Sequence, residues 1–184
     1  MQEEYLDIVD ENGNLTGEKE LRSVVHEKGL WHWVVPVCIY RMRNNQLEFL
    51  VQLRSKNKDQ YPNKWQTRFG GHIEAGSTKE KSVIKEIEEE IGLRINLEEL
   101  TKGMVFSYDS YKEKDPFSNR EYAQIYYYNF KGDLNELSFN DGEVQKVKWM
   151  TENKVIESIN KNPKIWASDK TAFIKILEDM KKKI

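Results

Sequence analysis

The sequence predicts an α/β fold, a mixed β-sheet covered by helices. Two observations carry this. Short β-branched and aromatic runs recur between turn residues, and three longer segments carry helical periodicity, one mid-chain and two at the end. Tyr5 to Val9 alternates as a strand and stops in the turn-rich Asp10-Glu11-Asn12-Gly13-Asn14. Val34 to Arg41 is a strong strand, and Asn44-Asn45 turns it into Leu47 to Leu53 as a hairpin. A polar loop with Pro62 leads to a short strand around Trp65 to Phe69, and a helix follows from about Thr78 to Ile91. Met104 to Tyr111, Tyr122 to Phe130 and Val144 to Met150 have strand composition. Helical patterns over Glu152 to Asn160 and about Ser168 to Lys182, parted by Asn162-Pro163, close the chain.

The 184 residues suit one domain, spanning 1–184, with a core of its own. No repeat or linker interrupts it. A formal net charge of −2 offers no cationic excess for a nucleic-acid backbone, and Lys181-Lys182-Lys183 reads as a solvated end. The one cysteine, Cys38, lies in an apolar run and reads as a core thiol, which fits a reducing compartment. No stretch approaches the roughly 20 apolar residues of a membrane span, and Met1-Gln2-Glu3-Glu4 is unlike a signal peptide. The cytoplasm is the expected location.

The central helix poses a chemical question. At ~100° per residue, Glu86, Glu89 and Glu90 share one face. Val83, Ile84, Ile87 and Ile91 form an apolar face, and Glu88 falls opposite the acids with Lys81 and Lys85. Glu86 and Glu90 repel at i,i+4, costing roughly 0.2–0.5 kcal/mol. Gly92 reads as the residue that ends the helix, so the acids crowd its negative pole. A helix selected for stability alone would carry lysines there. A bound divalent cation reverses both penalties, because hard cations take carboxylate oxygens. Gly70-Gly71 ahead of the helix permits a tight turn and a close approach of backbone to ligand. Strand, glycine turn and carboxylate face together suit metal-assisted phosphate chemistry.

At these residues the sequence resembles the Nudix hydrolase superfamily, whose box reads G-x5-E-x7-R-E-U-x-E-E-x-G-U, with U aliphatic. Gly71, Glu86, Ile87, Glu89, Glu90, Gly92 and Leu93 match at the required spacing. Ser77 stands in place of the first glutamate and Lys85 in place of the arginine. Ser77-x-x-Glu80 has a capping-box pattern, with Thr78 an alternative N-cap. The resemblance implies a Nudix-type α/β/α sandwich. It implies that Glu86, Glu89, Glu90 and the Gly70 carbonyl hold Mg²⁺ or Mn²⁺, with one of the glutamates as base for an attacking water. The missing glutamate and arginine brace loop and helix in that family, so their loss bears on rate and metal affinity more than on reaction class.

Outside the box, the segment Tyr5 to Gly13, the segment His26 to His32, and Gln52-Leu53-Arg54-Ser55-Lys56-x-Lys58 resemble the branch of type I isopentenyl-diphosphate isomerase. That branch implies Arg54 and Lys58 as diphosphate ligands, Glu121 at the site, and His26, His32 and His72 as a second metal site. Glu143, in Asp141-Gly142-Glu143-Val144, resembles a late-loop acid that serves as base or ligand. Gly70 occupies the place of the isomerase's proton-donating cysteine, and Asn119 that of one ligand glutamate. A glycine has no proton to give. Trp31, Trp33, Tyr126 and Tyr128 are candidates for stacking on a base or for core packing. The expected activity is divalent-metal-dependent hydrolysis of a diphosphate linkage in a nucleotide or related organic diphosphate. The alternatives are isomerase-like turnover and a non-catalytic nucleotide sensor. The implied partner is a small phosphorylated substrate, with no nucleic acid or membrane, and family members often form homodimers.

Overall fold

The computed structural model describes residues 4–58, 60–111, 117–139 and 142–184. Its frame is set by where two stretches of backbone cross. Strand β3 (Trp31–Val34) and strand β4 (Val37–Arg43) run along one side of the same partner, and Val35-Pro36 separates them. Proline lacks the N–H that a continuous ladder needs, so the apolar run breaks there. Strand β5 (Gln46–Arg54) returns antiparallel to β4 through Asn44-Asn45, both at positive φ, the expected two-residue hairpin. Strand β6 is only Trp65–Gln66. The chain then leaves β5 and crosses to β3 and β4. Phe69 exchanges both backbone hydrogen bonds with Val37 at 2.8 and 2.9 Å, and Val35 N–H donates to the Gly71 carbonyl at 3.0 Å.

Strand β7 (Leu100–Asp109) and strand β8 (Arg120–Asn129) form the next antiparallel pair, and β8 runs parallel to β3 and β4 on its other side. Strand β9 (Val144–Thr151) completes a seven-stranded mixed sheet by pairing with β5. Helix αA (Lys79–Ile91) covers one face: Val83, Ile87 and Ile91 pack on Val37, Ile39, Leu50 and Phe69. Helices αB (Glu152–Lys161) and αC (Lys170–Lys181) cover the other, where Ile159, Phe173 and Ile176 meet Cys38, Phe49 and Ile125. The expected α/β/α layering is present.

Three elements carry no strong sequence signal. Strand β1 (Tyr5–Val9) was expected, but its partner β2 (Leu15–Leu21) is polar and mostly exposed, with no alternation to reveal it. A helix of about two turns, Arg22–Lys28, is too short for a periodic signal, and β3 begins three residues before the expected Val34. Strand β7 begins at Leu100 rather than Met104, because an irregularity between Lys102 and Val105 interrupts its register. Met1-Gln2-Glu3 and Asp141 lie outside the described residues. Cys38 is fully buried, as expected of a core thiol.

Gly70 sits at the crossing with φ +103°, and a Cβ there would lie 2.2 Å from the Val35 carbonyl oxygen. Gly70→Ala is expected to destabilise the fold by on the order of 3 kcal/mol, through backbone strain plus displacement of a packed strand. Gly76→Ala shares the positive φ but meets nothing within 4 Å, so its cost should stay near ~1 kcal/mol. Urea titration of both variants measures the difference; equal losses would mean that contact with Val35 is not what fixes this residue.

Candidate active site

The glycine turn and αA build the site jointly. Thr78 is the N-cap of αA, accepting from the Lys81 N–H at 3.2 Å. Ser77 is therefore not the cap; its hydroxyl accepts from the Ser82 hydroxyl at 3.1 Å. Gly92 ends the helix in the left-handed conformation, as expected. The apolar stripe seats αA on the sheet and turns Glu86 and Glu90 inward beneath Gly70-Gly71. Glu90 is 4% exposed and accepts the Gly70 N–H at 2.6 Å. A Cβ on Gly71 would stand 2.7 Å from a Glu86 carboxylate oxygen, so this glycine too leaves room for an acid.

The three acids are not equivalent. Glu89 is exposed, and Lys85, expected on the side opposite the acids, reaches it at 3.8 Å. Lys85 also binds Glu74 at 2.5 Å. That pair ties the loop to the helix from a position three residues before Ser77, so a lysine and a different glutamate supply the brace that the box pattern lacks. Being half exposed, it contributes at most ~1 kcal/mol. Burial pushes Glu86 up to about 8, with the Glu89 and Glu143 charges adding to it. Burial also raises Glu90 well above the usual carboxylate range, against the opposing effect of the Gly70 N–H. Two acids that resist ionisation side by side, one buried and one half-buried, suit a cation that would let them ionise.

A cleft of about 1500 Å³ opens over these residues. Its lining includes Gly70, Glu86, Glu89, Glu90, Arg54, Lys58, Glu121, Glu143, His26 and His72. Arg54 is held by the Gln60 carbonyl at 3.1 Å and the Gln66 side chain at 2.6 Å. Lys58 is paired with Glu143, whose backbone carbonyl accepts from Ser55 N–H at 2.8 Å. Among the described residues, one group of three ligand-type side chains has its donor atoms within 4.8 Å of one another: His26, His32 and His72. His26 and His72 approach at 3.1 Å through Nε2. His32 Nε2 is buried without a hydrogen-bond partner and faces Glu121 at 3.9 Å. Burial pushes His32 down to about 4 and His72 well below its usual value, so both are neutral imidazoles at pH 7, the form that binds metal. Burial lifts Glu121 to about 7. Asn119, beside it, donates to Gln60 at 2.8 Å and leaves its own buried Oδ1 without a partner. The donor set and the orphaned His32 nitrogen fit a metal.

Four aromatics fall elsewhere. Tyr126 and Tyr128 pack under αA, Trp33 donates to the Gly13 carbonyl at 3.0 Å, and Trp31 packs against Tyr122. Core and surface packing explain them, and the aromatic lining of the cleft comes instead from Tyr5, Tyr61, Phe69, Phe106, Tyr108, Phe117 and Trp166. Gln60, Gln66 and Arg68 also line it, none foreseen; each is an isolated polar residue in a loop or short strand, without spacing to mark it.

The NUDIX domain model matches residues 32–173. The chain belongs to the NUDIX family. It is 36% identical over 126 residues to Nudix hydrolase 3 of Arabidopsis thaliana, covering 68% of this chain but only 16% of that protein's length. It is 28% identical over 162 residues to the isopentenyl-diphosphate Delta-isomerase of an Aliivibrio fischeri strain, covering 87% of both. Among solved structures, DR0079 from Deinococcus radiodurans superposes with a TM-score of 0.66 at 18% identity, over 94% of this chain and 99% of that one. That likeness concerns the fold. The NUDIX match begins after the β1–β2 hairpin and His26, so one of the clustered histidines lies outside it.

The buried acids set a pH dependence in metal-free protein. Glu86 titrates near 8 when folded and near 4.5 when unfolded, so the folded state holds the extra proton between these values. Its stabilising contribution is full below about 4.5 and is lost as pH rises through 8. His32 works the other way, its contribution being lost as pH falls from 6.5 toward 4. In EDTA, the urea midpoint should fall from pH 6 to pH 9, and Glu86→Gln should flatten that fall. An unchanged slope in the variant would mean that Glu86 is already ionised at neutral pH.

Proposed function

We propose that this chain hydrolyses a diphosphate linkage in a nucleotide or a related organic diphosphate, with Mg²⁺ or Mn²⁺ as cofactor. The observation that carries the reading is the pair of carboxylates, Glu90 buried and Glu86 half-buried, packed under two glycines and facing a cleft that also holds Arg54 and Lys58. Glu86, Glu89, Glu90 and the Gly70 carbonyl would hold the cation. Bound there, it would neutralise phosphoryl oxygens and lower the pKa of the attacking water.

The side chains of this chain do the rest. Arg54, already oriented by Gln60 and Gln66, presents a fork to one phosphate. Lys58 is held by Glu143 in the resting state. A diphosphate that draws the Lys58 ammonium to itself releases the Glu143 carboxylate, which then accepts a proton from water. Glu121 and the cluster of His26, His32 and His72 would take a second divalent metal, for which imidazole nitrogens are suitable ligands. Among the described residues no helix is long and apolar enough to cross a membrane, and the cytoplasm remains the proposed location. The proposed partner is a small phosphorylated molecule, and a homodimer is the proposed assembly.

The histidine cluster and the likeness to an isomerase support a second reading, isomerisation of an isoprenoid diphosphate. Gly70 weighs against it, since no protonated side chain stands at that position. A sensor that binds a nucleotide without cleaving it has no need of two such acids at their desolvation cost.

One incubation separates the three readings: the protein with Mg²⁺ or Mn²⁺ and a panel of nucleoside and isoprenoid diphosphates, products resolved by ion-exchange chromatography and ³¹P NMR. Metal-dependent release of monophosphate is expected, with kcat reduced at least a hundredfold by Glu90→Gln. Rearranged isoprenoid without phosphate release would favour the isomerase, and binding without turnover the sensor.

A further inference from the structure

Arg68 is unlike Arg54 and Lys58, the other half-buried cations of the cleft. It lies between β6 and Gly70, and its backbone is fixed on both sides: its carbonyl accepts from Gln52 Nε2 at 2.6 Å, and the next residue is locked to Val37. Phe69 points into the core under αA, so alternation along the strand sends Arg68 to the opposite face, toward αB and αC. There it lines the cleft with Phe106, Ala123, Ile159 and Trp166. Its Nε is buried without a hydrogen-bond partner, and among the described residues no carboxylate comes within 4.0 Å of its guanidinium. Arg54, by contrast, is satisfied by two acceptors. A buried Nε–H without an acceptor is costly, and an anion received from outside would resolve it.

A second orphan adjoins it. Ala167 N–H donates to the Trp65 carbonyl at 2.8 Å, and Trp166 bridges Trp65 in parallel, so residues 166–168 run beside the strand that leads to Arg68. Ser168 is 5% exposed, and its hydroxyl also has no partner. The Arg68 Nε–H and the Ser168 hydroxyl, both without a partner, thus line the same cleft, with Ile159 and Trp166 and also Asp169 and Lys170 around Ser168. Neither faces the diphosphate end. Arg54 acts on Glu90 and Glu143, whereas Arg68 acts on Cys38 and, together with Arg22, on Glu121.

We propose that Arg68 and Ser168 form a specificity subsite that binds a second oxyanion, a phosphate or a carboxylate, on the part of the substrate beyond the scissile diphosphate. The word substrate here rests on the hydrolase reading; the anion site itself does not. The subsite makes the preferred substrate one that carries an acidic group on an otherwise apolar extension, and Arg68 its positioning residue.

The test observes Arg68 directly. Arginine Nε–Hε resonances of the ¹⁵N-labelled full chain are recorded in EDTA, with the Arg68 signal assigned by its loss in Arg68→Lys. Inorganic phosphate and succinate are titrated separately, in the wild-type protein and in an Arg54→Gln/Lys58→Gln background that weakens the diphosphate end. A saturable shift of the Arg68 signal in both backgrounds is expected, and the ligand that gives it identifies the oxyanion. Ser168→Ala should weaken it several-fold. No shift at saturating concentrations of either ligand, or a shift confined to the wild type, overturns the proposal. If diphosphates are hydrolysed, Arg68→Lys and Arg68→Gln should raise KM roughly tenfold to a hundredfold, with kcat nearly unchanged, for substrates bearing the extra acid. Equal effects on substrates lacking it would reduce Arg68 to a structural role. Should no diphosphate be turned over, the resonance titration still decides the anion site.

Discussion

The site depends on the passage of Gly70 across the Val35 carbonyl. Pro36 ends the ladder of β3, and the strand segment carrying Phe69 to Gly71 fills the gap from the other side. The two backbones come so close that no side chain fits between them. Because the crossing is that tight, the Gly70 N–H points at αA, where it becomes a hydrogen-bond donor to the buried Glu90 carboxylate. Backbone geometry therefore places one acid, and the missing Cβ of Gly71 makes room for the other. Relaxing the crossing would loosen the carboxylate pair before it disturbed the core.

Electrostatics then divides the helix by depth. Burial raises both Glu86 and Glu90, and neighbouring carboxylates add to it. Glu89, one residue away, is in solvent and neutralised in part by Lys85. The protein answers the buried acids with Lys58 and Arg54 from the β5–β6 region, yet it commits Lys58 to Glu143 and Arg54 to two glutamines. Neither cation closes onto the acid pair. A fold selected for stability would have joined them, and keeping them apart preserves a space with positive charge on one wall and latent negative charge on the other.

The sequence revealed what depends on spacing. A three-faced helix, a paired glycine and a terminal Gly92 are short-range patterns, and αA, its carboxylates and its end stand where spacing placed them. Asn44-Asn45 was legible for the same reason. Strand β2 was hidden because Leu15 to Leu21 is mostly exposed and buries no alternating face, and the helix of Arg22 to Lys28 because two turns are too few for a period. The replacement brace was hidden in a different way: Lys85 and Glu74 are eleven residues apart, and only the folded loop brings them together. Arg68 gave no signal at all, since its importance lies in the partners it lacks, which are a property of the packed structure.

Gly70 also explains how one frame serves relatives named for different chemistry. The expected isomerase cysteine would stand at this position, and in many chains a glycine there could be regarded as a simple substitution. Here the positive φ and the 2.2 Å approach to Val35 leave no volume for a Cβ, let alone a thiol. Restoring a proton donor would require β3 and the glycine turn to separate, and that separation would withdraw the N–H from Glu90. A side chain at residue 70 and the hydrogen bond from its N–H to Glu90 thus exclude one another in this backbone. The chain thus sets three clustered histidines and Glu121 beside a crossing with no room for a side chain.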